Sequence, residues 1–204
     1  IFGLVLMLCW HLMQNGLGLG DAIRQASFNG ISIITGTGYV SANFSAWGGF
    51  ATTILLIVMF IGGCGGSTTC GIKVFRLQVL AGTVKVQISR LLRPHAVVLA
   101  YYNKRPVSGE VMDSVMGFFY LYILGFVVIA LFLGITGLDF VTALSGAATS
   151  ISNVGPGLGE VIGAEGNFSS VPDSAKWVMS FAMILGRLEI FTVLVMLAPG
   201  FWQR

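Results

Sequence analysis

The sequence predicts an all-α integral membrane protein built from helix–pore-loop–helix repeats with re-entrant half-helices, two repeats being present. Three observations carry this. First, 55% of the 204 residues are apolar and only 9% charged, with a mean hydropathy of +0.88, whereas soluble domains carry about 25% charged residues. Second, the segments Asp21–Ile34 and Asp139–Ser152 are apolar but only 14 residues long, too short to cross a hydrocarbon core of about 30 Å. Third, each is followed by a Gly-bearing turn and then a further apolar run, and Gly38 and Gly155 stand 117 residues apart at equivalent places, as an internal repeat requires. This composition excludes a soluble enzyme, a nucleic-acid binder and a disordered chain.

The first repeat covers 1–92. Its opening run, Ile1–Met13, is shorter than a span and lacks the basic start and small-residue cleavage site of a signal peptide. Residue 1 is therefore read as lying inside a helix of a longer protein. A turn at Asn15–Gly20 leads to a pore helix over 21–34, with Asp21 as its N-cap. The turn Thr35-Gly36-Thr37-Gly38-Tyr39 follows, then a polar stretch Ser41–Trp47 and an apolar run from Gly49. That run is interrupted at 62–71, where Gly62, Gly63, Gly65 and Gly66 fall within five residues. Each Gly costs a helix up to about 1 kcal/mol relative to Ala. The expectation is a break, a mobile intramembrane loop over Gly62–Gly71, and a helix resuming at Ile72; a close Gly-mediated crossing of two helices is the alternative.

A basic connector, 93–113, separates the repeats. Seven of the eleven Lys/Arg residues lie between Lys73 and Arg105, and no Asp or Glu occurs from Ala22 through Gly109. The positive-inside rule places 72–113 and the C-terminus in the cytoplasm and both Gly-bearing turns on the extracytoplasmic side. The second repeat, 114–204, reads as a spanning helix 114–135, a pore helix 139–152 capped by Asp139, a turn 153–157, a polar stretch to Asp173, and a final helix 174–198. Cys9, Cys64 and Cys70 form no CxxC and have no neighbouring His, so they read as small buried thiols.

A re-entrant half-helix that points its C-terminus at the membrane centre places about half a negative charge there, which favours a cation. A following turn can aim carbonyl oxygens along an axis and replace a cation's hydration shell, as in potassium-channel filters. Thr35, Gly36, Thr37 and Gly38 have the Thr-x-Gly-Tyr character of such a filter, and Ser152, Asn153, Val154 and Gly155 form a divergent version. Neither turn contains a carboxylate, which favours a dehydrated monovalent cation over a divalent one. Arg187, 13 residues into the final run, is expensive at that depth unless it faces protein or water. Two compatible roles follow: bonding carbonyls freed in the Gly-rich loop, and lining the path below the turns as a barrier to cations. Glu189 is two residues on and points to another face.

These motifs resemble the Trk/Ktr/HKT potassium transporters, and within them the TrkH branch. The residues that carry the resemblance are Thr35–Tyr39, Asn153–Gly159 (NVGPGLG), Gly62–Lys73 (GGCGGSTTCGIK) and Gly186–Glu189 (GRLE), and it extends over essentially the whole chain. The resemblance implies four repeats around a pseudo-fourfold pore, of which this chain resembles the third and fourth. It implies filter glycines at Gly38 and Gly155, a gate comprising Gly62, Gly63, Gly65, Gly66, Ser67, Thr68 and Thr69, and a basic residue below the filter at Arg187. It also implies a bacterial inner-membrane homodimer gated by a cytoplasmic nucleotide-binding ring of the TrkA type and in contact with membrane lipids. Potassium would be the permeant ligand, held by backbone carbonyls, with no covalent cofactor and no nucleic-acid partner. Two loops cannot close a four-sided filter, so these 204 residues alone should not conduct selectively unless two copies pair.

The alternative from the residues is a secondary transporter with discontinuous helices for another small solute; such sites normally place half-helix N-termini at mid-membrane, whereas here the C-termini point inward. A non-conducting scaffold leaves the paired turns unexplained. His11 and His95 are isolated and no nucleophile–base pair can be assembled, so an enzyme is not expected.

Overall fold

In the computed structural model, residues 2–93, 98–188, 190–197 and 199–202 are described; Ile1, His95, Glu189 and Ala198 lie outside them. The chain runs α1 (Phe2–Gln14), α2 (Leu19–Thr35), α3 (Gly49–Phe60), α4 (Val74–Leu92), a hairpin of β1 (Tyr101–Tyr102) and β2 (Arg105–Pro106), α5 (Gly109–Ile135), α6 (Phe140–Ser152), α7 (Asp173–Arg187), α8 (Ile190–Leu197) and α9 (Pro199–Trp202). Among the described residues α5 alone is long and apolar enough to cross a bilayer unaided, and α7 with α8 qualifies only as a bent pair. At 27 residues α5 is about 40 Å long. It exposes Tyr120, Ile123, Val127, Leu131 and Ile135 along one side, as a lipid-facing stripe would.

The two repeats share their cores. One cluster gathers Leu8, Leu12, Ile33, Phe44, Leu55 and Met59 from the first repeat with Ala148, Val154 and Leu158 from the second. The other gathers Tyr122, Leu133, Ile151, Ile162 and Met179 with Ile72 from the first repeat. Ser45 Oγ also donates to the Gly159 carbonyl at 2.9 Å, tying together the segments that follow the two turns. Within Ser41–Trp47 the aromatic rings of Phe44 and Trp47 are buried, so that stretch is polar in composition yet packed.

Several expectations are corrected. Asp21 is not the N-cap of α2: the helix starts a turn earlier, from an extended Gly18, and Asp21 lies in its first turn, 2.8 Å from Arg24. A carboxylate there still suits the helix dipole. Asp139 does cap α6, accepting from the Thr142 N–H. The helix placed at 114–135 begins at Gly109, because Glu110 and Asp113 form a polar first turn that hydropathy passes over. The connector 93–113 thus contains a hairpin and the start of α5; Asn103 (φ 49°) and Lys104 (φ 64°) form its turn, a left-handed pair matched to the strand twist. The final helix is not continuous over 174–198: α7 ends at Arg187 and α8 leaves at 102°. No Pro or Gly lies between Arg187 and Ile190 to announce that bend, which comes where Gly186 and Arg187 are held by other elements.

Candidate functional site

The two turns are built alike, bond for bond. In the first, the Ile33 carbonyl accepts from the Gly36 N–H at 3.1 Å and the Ser32 carbonyl from the Thr37 N–H at 3.0 Å. In the second, the Ser150 carbonyl accepts from the Asn153 N–H at 3.2 Å and the Thr149 carbonyl from the Val154 N–H at 3.0 Å. Every partner is displaced by the same 117 positions. Both half-helices end on a left-handed residue, Gly36 (φ 67°) and Asn153 (φ 52°), which terminates a helix while keeping its last carbonyls bonded. They diverge at the next residue: the Gly38 N–H donates to the Ser32 carbonyl at 3.4 Å, the Gly155 N–H to Thr149 Oγ1 at 3.0 Å.

The turns meet. Gly38 has φ +72°, and a Cβ there would run into the Val154 carbonyl oxygen, so only glycine fits. Gly155 has φ +112°, and a Cβ on it would lie 3.7 Å from Gly38 Cα. Beside Gly36, the Asn153 carbonyl and Thr69 Cγ2 would each stand 3.6 Å from such an atom. Thr69 belongs to the Gly-rich loop, so all three motifs converge at the C-termini of α2 and α6.

That loop is an excursion from one path. The Gly62 N–H donates to the Ile72 carbonyl at 2.9 Å and the Ile72 N–H to the Phe60 carbonyl at 2.8 Å. Ile61 and Ile72 pair in parallel, so the chain leaves and returns heading the same way. This pairing takes Ile72 out of the helix, and α4 resumes at Val74 instead. Inside the loop the Ser67 and Thr69 hydroxyls share a 2.6 Å hydrogen bond. Arg187 Nη1 donates to the Thr68 carbonyl at 2.7 Å and reaches Cys70 Sγ at 3.6 Å. Arg187 is thus the last residue of α7, bonded to the loop, rather than the middle of a long helix. A cavity of about 230 Å³ opens here, lined by Thr68, Thr69, Lys73, Arg76, Tyr122 and Arg187 among others. Of the cysteines only Cys9 is buried; Cys64 is exposed and Cys70 half-buried, because the loop turns outward between them.

Hydroxyls behind the turns complete the site; of those on α6, sequence reasoning singled out Ser152 but not Thr142, Ser145 or Thr149. Thr142, Ser145, Thr149 and Ser152 are all buried on α6. Ser145 Oγ brackets Leu158, donating to its carbonyl at 3.2 Å and accepting from its N–H at 3.0 Å. Ser152 Oγ shares a 2.7 Å hydrogen bond with the Tyr122 hydroxyl. The spacing 142, 145, 149, 152 in an apolar half-helix is a one-face polar stripe and was the available signal. In α2, fully buried Asn29 holds Ser41 beyond the first turn, with its Nδ2 donating to Ser41 Oγ at 3.0 Å and its Oδ1 accepting from the Ser41 N–H at 3.1 Å. Asn153 Nδ2 donates to the Met183 carbonyl at 3.0 Å, and Gly186 sits against the Ile151 carbonyl. These two contacts fasten α7 to the end of α6. The Thr35 and Thr37 hydroxyls lie 3.0 Å apart, and Thr35 also donates to the Ile31 carbonyl of its own helix at 2.8 Å.

Comparison with known proteins finds likeness over nearly the whole chain. The TrkH family model, described as "Cation transport protein", matches residues 11–204. The Trk system potassium uptake protein TrkI of Halomonas elongata is 44% identical over 195 residues, 96% of this chain and 39% of that protein. The Trk system potassium uptake protein TrkH of Vibrio parahaemolyticus is 43% identical over 183 residues, 90% of this chain and 37% of that one. The crystal structure of the potassium transporter TrkH from Vibrio parahaemolyticus superposes with a TM-score of 0.88 at 40% identity, covering 98% of this chain and 42% of that chain. The chain therefore spans about two fifths of the length of these relatives. With its mostly helical fold matching that membrane transporter, the chain belongs to the TrkH family of cation transport proteins.

Proposed function

We propose that this chain supplies two sides of a potassium-selective filter and the gate beneath it, in a protein that takes up potassium across the bacterial inner membrane. The observation that carries the reading is the convergence on one point of two turns that open with the same two bonds, with Thr69 of the Gly-rich loop against the first. Half-helix C-termini there favour a cation, and the turns offer neutral backbone, hydroxyl and amide oxygens with no carboxylate, which suit a dehydrated monovalent ion. Thr35, Gly36, Thr37, Gly38, Ser152, Asn153, Val154 and Gly155 are assigned to the filter. Gly62, Gly63, Gly65, Gly66, Ser67, Thr68, Thr69 and Arg187 are assigned to the gate, with the Arg187–Thr68 bond holding the loop across the path. The relatives' potassium uptake names support the choice of ion.

On this reading 1–92 and 114–204 are pore repeats joined by a cytoplasmic connector, with both turns extracytoplasmic. Lys85, Arg90, Arg93, Lys104 and Arg105, with no acid between Asp21 and Glu110, support that orientation and provide a surface for a TrkA-type ring or anionic lipid. A homodimer, as the family resemblance implies, completes the assembly. The test is rubidium and sodium flux into proteoliposomes carrying the full-length protein, with and without Gly155→Ser. At φ +112° a serine is strained whatever the space around it, so rubidium preference should collapse. Equal selectivity in the variant would overturn the filter assignment.

A further inference from the structure

Burying a phenol hydroxyl is unfavourable unless it is hydrogen-bonded, and among the described buried residues of α5 (Val115, Phe118, Tyr122, Ile129, Leu133) Tyr122 alone carries a polar group. Its ring packs among aromatics where a Phe would serve as well: Phe118 at 5.6 Å and Phe60 at 6.2 Å between centroids. The hydroxyl is therefore what needs explaining. Its partner is Ser152, at 2.7 Å, the last residue of α6 before the second turn. Ser152 differs from its neighbour Ser150, whose hydroxyl donates back to Gly146 of its own helix at 2.7 Å. It differs also from its counterpart in the first repeat, Thr35, which bonds its own helix at Ile31. Among the described residues, the second turn alone is tied to a spanning helix in this way.

The ring that makes the tie packs against the near flank of the Gly-rich loop directly and reaches the far flank through Phe118. Phe60 is the last residue of α3, two positions before the loop, and Arg76, in the first turn of α4 beyond it, places its guanidinium 3.8 Å from the centroid of Phe118, one helical turn from Tyr122. We propose that Tyr122 is a positioning residue for ion selection: its hydroxyl holds Ser152, and through it the second turn, in register with the flanks of the Gly-rich loop. This rests on the filter reading above.

The experiment measures rubidium and sodium flux in proteoliposomes for the full-length wild type, Gly155→Ser, Tyr122→Phe, Ser152→Ala and the double variant. Tyr122→Phe keeps the ring contacts and removes only the bond. The rubidium-over-sodium ratio should fall roughly three- to tenfold, the range a buried hydrogen bond commands, in protein that remains monodisperse. Ser152→Ala removes the same bond from the other side and should match it, with the double variant no worse than either single change. A wild-type ratio in Tyr122→Phe, or additive losses in the double variant, overturns the assignment of Tyr122 while Gly155→Ser still tests the filter. If the wild type itself shows no rubidium preference, the filter reading falls and this inference with it.

Discussion

Replacing Gly186 by alanine tests the contact that holds α7 to the end of α6. Gly186 is a helical residue without a left-handed backbone, so alanine introduces no dihedral strain. In an open helix the change stabilises by about 0.5–1 kcal/mol, since Gly is the poorer helix former. Here the added methyl would land on the Ile151 carbonyl, and the Asn153 amide nitrogen would stand only 3.1 Å away. The obstruction is backbone, so no rotamer change relieves it, and the helices must part by roughly 1–2 Å to restore ordinary contact. Overpacking of this kind costs about 1–3 kcal/mol. The net expectation is a loss of about 1–2 kcal/mol, read as a melting temperature lowered by roughly 2–4 °C per kcal/mol in a unit of this size. The assay is thermal unfolding of the detergent-solubilised full-length protein, with Gly134→Ala as the contrast, because nothing stands within 4 Å of a Cβ at Gly134. The sign decides the matter. If Gly186→Ala proves neutral or stabilising, α7 does not approach α6 this closely and its positioning of the second turn is refuted.

Other outcomes follow from the same geometry. Gly38→Ser should impair selectivity more than Gly155→Ser, because it adds a clash with the Val154 carbonyl to the left-handed backbone; the reverse order in flux assays would contradict the packing of the turns. Arg187→Gln removes the charge and the guanidinium bonded to the Thr68 carbonyl. Since a hydrogen bond to a charged group contributes about 1.5–3 kcal/mol, rubidium influx without any cytoplasmic partner should rise roughly tenfold, and unchanged or reduced influx would count against the gate. The Asp139 carboxyl is held below its ordinary range chiefly by its hydrogen bond to Thr142. Its stabilisation is therefore full above the ordinary carboxylate pKa and lost as pH falls through the lowered value. Asp139→Asn should keep the cap but remove that acid sensitivity, and Asp139→Ala should cost about 1 kcal/mol at neutral pH. Melting profiles between pH 2 and 7 that are identical for wild type and Asp139→Asn would exclude the cap from acid stability.

Membrane character, two half-length helices and a 117-residue repeat were legible in the sequence because each rests on local composition or spacing. The ends of α2 and α6 were legible for the same reason, since a left-handed Gly36 or Asn153 stops a helix wherever it lies. Asp139 was readable as a cap by its position, whereas Asp21 looked alike and was not one, because Gly18 and Leu19 let α2 begin a turn earlier. The break at 62–71 followed from helix propensity, but that Ile61 and Ile72 close it in parallel depends on a long-range pairing no local rule contains. The bend after Arg187 is likewise tertiary: the residues there are ordinary helix formers, and contacts with Ile151 and Thr68 hold the turn that precedes it.

What the sequence by itself determined is which segments are helical, where the chain must turn, and that the turns offer a cation no carboxylate. What only the tertiary structure decided is that Gly38 meets Val154, that Thr69 lies against Gly36, and that Tyr122 bonds Ser152. The physical reason is range. Propensity, capping and hydropathy act within a few residues, whereas the site is made by groups from 30 to 116 positions apart, brought within contact by packing that only the folded chain defines.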